Sequence, residues 1–200
     1  HGKRDVTAVE NMSFSLRAGE ILAALGTPGQ VDGVWSDILR SNAMQSRFEL
    51  DGEIIAYKNI QELMKHRIAL MEYGNHTEIC ENLTNEENIL PTYPRICSAF
   101  GFYQKQQKYI LEDNFLGLDR RDIELLNPET EAWKIGIYRY KLFHPRVLIL
   151  KNMLQNLNVR EVAWLKRELR EIVGRGSSVL LLENESKVCV DVADRLEVIA

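Results

Sequence analysis

Cysteine is scarce in this chain: Cys80, Cys97 and Cys189 are the three among 200 residues, an odd number at wide spacing. With no His/Cys cluster beside them, they exclude a disulfide framework or a zinc site as the organising device and suit a reducing compartment. Long hydrophobic runs are missing too: no apolar stretch approaches the length needed to cross a bilayer, and no signal-peptide pattern is visible. Charge of one sign is nowhere concentrated. The net charge is −4 with a pI near 5.7, and the densest basic group, Lys166, Arg167 and Arg170, is interleaved with Glu168 and Glu171. That is the pattern of a solvated helix face, and it argues against a nucleic-acid surface. Internal repeats and low-complexity tracts are absent. The Asn-x-Ser/Thr matches at Asn11, Asn75, Asn82 and Asn184 read as chance in a cytosolic chain.

What is present is the balance of a globular domain, 45% hydrophobic and 27% charged, at a length that suits one substantial core. Val9, Met12, Phe14 and Leu16 alternate ahead of a turn at Ala18-Gly19, and the apolar run Ile21 to Leu25 follows. A short run bounded by glycine and followed by a helical pattern predicts a buried strand, then a helix over about Val34 to Leu39. Phe48 to Tyr57 alternates around Asp51-Gly52, the signature of a β-hairpin. From about residue 84 to 140 the character is helical, opening on Thr84 ahead of Glu86 and Glu87, and Tyr103 to Leu116 carries a spaced apolar stripe. Val147 to Leu150 is a second buried run, and Val179 to Leu182 a third. Between them lies an amphipathic helix through Val159, Val162, Leu165, Leu169 and Ile172 that ends at Gly174. Short apolar strands alternating with helices predict a mostly parallel α/β sheet. The last residues, Ile199-Ala200, read as the inside of a strand, so a longer parent chain is expected.

Four phrases in this order carry a family resemblance: Ser13 to Leu22, Pro145 to Leu150, Ser178 to Leu181 and Val192 to Leu196. They resemble the strand signatures of ABC-transporter ATP-binding domains, nearest in flavour to the simple-sugar importers, over essentially the whole chain. The resemblance implies a P-loop NTPase-type core, an N-terminal antiparallel β portion and a helical subdomain at about 84–140. It also implies where the chemistry should lie, and there the sequence departs. A working P-loop, G-x-x-x-x-G-K-[ST], cradles phosphates with backbone N–H groups, a lysine and a magnesium-binding hydroxyl. This loop runs Gly26-Thr27-Pro28-Gly29-Gln30-Val31-Asp32-Gly33. Val31 stands for the last glycine, Asp32 for the lysine and Gly33 for the hydroxyl residue. The metal-shell aspartate and catalytic glutamate expected after Leu150 are Lys151 and Asn152, and the histidine near the γ-phosphate is Asn184. The metal-sensing glutamine falls at Glu72 or Tyr73, and the aspartate of the loop that crosses the dimer interface is Asn158. The LSGGQ signature is replaced by Leu126-Asn127-Pro128-Glu129-Thr130.

Asn152 can hydrogen-bond a water but cannot take its proton, and Pro128 has no N–H to offer a partner's phosphate. No catalytic residue, no metal site and no bound cofactor are therefore expected. Gly26, Gly29, Asp32 and Gly33 remain as a vestigial P-loop, and Asn127, Pro128 and Glu129 mark the signature position. Asp32 and Lys151 are the family's facing pair with signs exchanged, and their combined reach predicts an ion pair within about 4 Å. His66, His76 and His144 read as surface or turn residues, and Trp133 and Trp164 as packing residues. The leading expectation is a pseudo-ATPase domain serving as structural or regulatory partner. Its partners would be another ABC ATPase domain or a membrane permease, at the cytoplasmic face of the membrane and without a span of its own. The alternatives are a working sugar-importer subunit using ATP and Mg²⁺, and a remodelled pocket for some other small ligand.

Overall fold

The computed structural model describes residues 14–40, 48–74, 79–80, 82–89, 120–184 and 186–199. Two compact units are present, His1–Tyr73 with Arg146–Ala200, and Gly74–Pro145. The alternating residues Val9 and Met12 and the stripe Tyr103 to Leu116 lie outside the described residues.

The first unit holds a five-stranded sheet of β1 (Ile21–Leu25), β4 (Ile68–Glu72), β5 (Val147–Lys151), β6 (Ser178–Glu183) and β7 (Arg195–Val198), in the order β4-β5-β6-β1-β7. All four pairings are parallel. The three apolar runs singled out in the sequence are therefore neighbours. They read as unbroken hydrophobic stretches because a parallel sheet is covered on both faces: Ile21, Leu22, Leu148, Leu150, Val179 and Leu181 are wholly buried. Helices α1 (Pro28–Arg40), α2 (Ile60–Lys65), α6 (Val159–Gly174) and α7 (Ser186–Val192) belong to this unit. Val31, Val34, Trp35 and Ile38 of α1 join Leu22, Ile149, Leu180 and Leu182 in one core. A small antiparallel pair, β2 (Phe48–Leu50) and β3 (Glu53–Ile55), turns at Asp51 and Gly52, both at positive φ (54° and 82°). That is the two-residue hairpin geometry expected of Asp-Gly.

At the amino-terminal ends of the strands an ion network ties the sheet edge. Arg195 reaches Glu20 at 2.6 Å and also engages Glu197, while Arg170 holds Asp194 at 2.6 Å. The Arg195 hydrogen bond keeps the Glu20 carboxyl below its ordinary range.

The second unit is helical among its described residues: α3 (Asn85–Ile89), α4 (Arg120–Glu124) and α5 (Pro128–Phe143). Asn85 Nδ2 ties α3 to α4 through the carbonyls of Ile123 and Leu126, at 2.9 and 2.8 Å. Arg139, buried in α5, donates to the Asn88 carbonyl at 2.9 and 2.6 Å. Trp133 is buried within α5, and His144 closes that helix in the left-handed conformation.

One expectation needs correction. The first helix begins at Pro28, not near Val34. The cause is local chemistry at its start, and it bears on the site.

Candidate functional site

The positions that the resemblance marks within the first unit lie at the carboxyl ends of parallel strands, where open α/β sheets place their sites. β1 leads into Gly26, β4 ends at Glu72, β5 at Lys151 and β6 at Glu183.

Only Gly26 and Thr27 separate β1 from α1, so Gly29, Asp32 and Gly33 are helical. Thr27-Pro28-Gly29-Gln30 explains this. Pro28 suits the first helical position, where no N–H is needed. Gln30 folds back so that its Oε1 accepts from Thr27 N at 2.9 Å and Thr27 Oγ1 at 3.0 Å. This is one half of a T-x-x-Q capping box, a sequence signal that could have placed the helix start. Val31 N donates to the Thr27 carbonyl at 3.0 Å, closing the first turn, and the Val31 side chain is wholly buried. Gly26 is needed for a close approach: a Cβ there would lie 3.0 Å from Ile199 Cβ and 3.2 Å from Gln30 Cβ.

Lys151 occupies the centre. Its Nζ lies 2.7 Å from Asp32 Oδ1 and 2.7 Å from Glu72 Oε1, and 5.7 Å from the centre of the Trp35 ring. The β4–β5 register sets Glu72 directly beside Lys151, and Asp32 and Trp35, three apart on α1, share one helix face. Lys151 is 7% exposed, Glu72 30% and Asp32 56%. Burial pulls the ammonium's pKa down, but Asp32 and Glu72 outweigh it and hold the group above the ordinary lysine value. The ion pair expected between Asp32 and Lys151 is present, while Glu72 as its second carboxylate was not foreseen. Of the two candidates for the glutamine position, Glu72 is the one that enters the cluster. Tyr73 N donates to the Lys151 carbonyl at 3.0 Å.

Asn152 and Asn184, which the resemblance sets at the base and switch positions, touch each other. Asn184 Nδ2 lies 3.2 Å from Asn152 Oδ1 and 3.4 Å from Gln155 Oε1. Asn152 sits at φ 54°, the left-handed region that Asn enters more readily than most residues. It is pinned there by Asn152 N to the Leu182 carbonyl at 2.9 Å and Asn156 Nδ2 to its own carbonyl at 2.8 Å. Beyond the 3-10 turn Leu154–Asn156, Asn158 caps α6, accepting from Arg160 N and Glu161 N at 3.0 and 3.1 Å. Glu183 was not anticipated, because the apolar run was read as ending at Leu182. It is wholly buried, and its Oε1 accepts from Met153 N and Leu154 N at 2.7 and 2.9 Å.

In the second unit the signature position opens α5. Asn127 Oδ1 accepts from Glu129 N at 2.9 Å, the Asn127 carbonyl from Thr130 N and Glu131 N, and Glu131 Oε2 from Asn127 N at 3.0 Å. With Pro128 lacking an N–H, the first turn is capped from within.

Among the described residues no group of three His, Cys, Asp or Glu side chains is placed to hold a metal ion, and no helix is long and apolar enough to cross a membrane.

The parallel sheet and its order match a P-loop NTPase-type fold, and the solved structures that share it are ATP-binding cassettes. A nucleotide-free cassette from an ABC transporter matches all of this chain and 84% of its own, with a TM-score of 0.68 at 15% identity. The cbiO1 protein of Clostridium perfringens, part of an ABC transporter complex, matches 96% of this chain and 78% of its own, with a TM-score of 0.72 at 14% identity. No protein-family model matches. Among curated proteins, the ribose import ATP-binding protein RbsA of Geobacillus kaustophilus is 22% identical over 205 residues, which is 95% of this chain and 40% of that protein. A putative ribose/galactose/methyl galactoside import ATP-binding protein of Ralstonia nicotianae is 26% identical over 203 residues, 94% of this chain and 38% of that protein. The chain thus spans about two fifths of the length of these relatives. The curated relatives are sugar-import ATP-binding proteins, and the solved structures of the same fold are ABC-transporter cassettes.

Proposed function

We propose that this chain is a catalytically silent ATP-binding cassette, serving a sugar-importer-like transport system as a structural or regulatory partner. The observation that carries the reading is the Lys151 ammonium held between Asp32 and Glu72. An internal cation fills the place of phosphate-binding and metal-binding groups, and two carboxylates surround it. At an effective dielectric of 20, two unit charges 4 Å apart interact by about 4 kcal/mol, so carboxylates facing a triphosphate oppose its binding strongly. The residues present do not suit Mg-ATP. The backbone of Gly29 to Gly33 is wound into α1, which leaves no loop to wrap a phosphate.

The remaining chemistry points the same way. The hydrogen-bonded amides of Asn152 and Asn184 can neither accept nor relay a proton under neutral conditions. The capped, acidic start of α5 has little to offer a phosphate on another domain. What such a cassette retains is shape, so its expected partners are a competent ATPase domain and a membrane permease, at the cytoplasmic face of the membrane. The competing reading, a working ATP-binding subunit, draws on the names of the relatives. A steady-state phosphate-release assay on purified protein separates the two. No turnover is expected, and turnover that disappears on substitution in Gly26–Gly33 would sink the silent-cassette reading.

A further inference from the structure

We propose that Glu183 is a proton-operated clamp on the segment Asn152–Leu157, holding it against the end of β6 when ionised and loosening it when protonated. The side chain is wholly buried at the carboxyl end of β6. One oxygen, Oε1, takes hydrogen bonds from two consecutive backbone amides, Met153 N at 2.7 Å and Leu154 N at 2.9 Å. The other, Oε2, is buried and has no hydrogen-bond partner among the described residues. The backbone of Gln155 adds a further contact.

Among the described residues no cation is engaged with this carboxyl. Of the titratable groups on the surrounding elements, Lys151 on β5 is committed to Asp32 on α1 and Glu72 on β4. Asp37 and Arg40 are the other titratable groups on α1. On α7, Cys189 is buried, while Lys187 and Asp191 are exposed. β1 and the turn Leu154–Asn156 carry no titratable side chain. A buried carboxylate facing only backbone dipoles is penalised by desolvation. Burial pushes Glu183 up to about 7, against the pull of the amides of Leu154, Met153 and Gln155. An ionised carboxylate binds N–H donors roughly twice as strongly as a neutral acceptor does, so the grip changes with protonation.

The clamped segment is otherwise held by neutral contacts: Asn152 N donates to the Leu182 carbonyl at 2.9 Å, Asn184 meets Asn152 at 3.2 Å, Leu157 N meets the Leu154 carbonyl at 3.3 Å, and Met153 and Leu154 are buried. It also shapes a surface, because Gln155 and Asn156 are exposed. Nothing in this clamp depends on nucleotide binding.

The test follows the amide resonances of Met153 and Leu154 by ¹H–¹⁵N correlation between about pH 5.5 and about pH 8.5. Both should move together with a midpoint near 7, while the Leu165 amide stays still, and Glu183→Gln should abolish the movement. Flat Met153 and Leu154 amides, or a titration that survives in Glu183→Gln, would overturn the proposal. Where that variant fails to fold, the side-chain carboxyl ¹³C shift of Glu183 in the unaltered chain decides. A midpoint near 7 supports the clamp, and one near the ordinary 4.5 overturns it.

Discussion

The ammonium of Lys151 and the carboxylate of Asp32 lie 2.7 Å apart, the pair on which the silent-cassette proposal rests. One strand end and one helix position set the pair, and the parallel register of β4 on β5 adds Glu72 as a third member. A cation nearly removed from water, with two acceptors, becomes costly to delete one-sidedly.

Lys151→Ala should therefore destabilise the first unit by about 1–3 kcal/mol, because it leaves Asp32 and Glu72 facing each other. Solvent at the half-exposed Asp32 keeps the figure below that of a fully buried pair. Adding Asp32→Ala to Lys151→Ala should recover part of the loss. Denaturant unfolding of both single variants and the double variant closes the cycle. Strict additivity would mean that the pair carries no coupling.

Restoring the family lysine should not restore chemistry. Asp32→Lys sets two ammonium groups against each other with Glu72 alone between them, and the base position is still Asn152. The expected outcome is a loss of about 1–2 kcal/mol in stability, with phosphate release unchanged from background. A gain in turnover would count against the assignment of Asn152 as a lost base.

One contact of this site was legible in the sequence: the family resemblance puts positions 32 and 151 close together, and that expectation is met by the Asp32–Lys151 pair. Glu72 as a partner was not legible, because its role rests on β4 lying beside β5, a long-range pairing that no local pattern encodes. The start of α1 was legible and was missed: Thr27-Pro28-Gly29-Gln30 spells a helix start, but the helical pattern alone puts the helix at about Val34 to Leu39. Glu183 was hidden for a different reason. A carboxyl closing an apolar run looks like a strand end in water, and only tertiary burial makes it a core residue.

The capping of α1 gives a separate check. Gln30→Ala removes the acceptor for Thr27 N and Thr27 Oγ1 and should cost about 1 kcal/mol, read as a lowered denaturation midpoint. Gln30→Glu keeps an acceptor for Thr27 N and should stay within about 0.5 kcal/mol of the parent. Equal effects from both variants would argue against the box.

Glu183 also leaves a mark on global stability. Its carboxyl binds protons more tightly in the folded state, near 7 against an ordinary 4.5, so the folded chain holds the extra proton within that window. Stability contributed by this group therefore falls as pH rises from about 4.5 to about 7, by on the order of 3 kcal/mol, and is level beyond either end. Glu183→Gln should flatten that slope. Unfolding curves at several pH values that keep their slope in the variant would assign the dependence to other groups.

The claim at the centre is that an internal cation has taken the place of a phosphate site, and equilibrium binding of Mg-ATP tests it most directly. Isothermal titration of the purified chain should give no saturable heat at ordinary cellular ATP concentrations, and ATP should leave the denaturation midpoint where it was. Saturable binding that raises the midpoint and is lost when the Gly26–Gly33 segment is altered would contradict it.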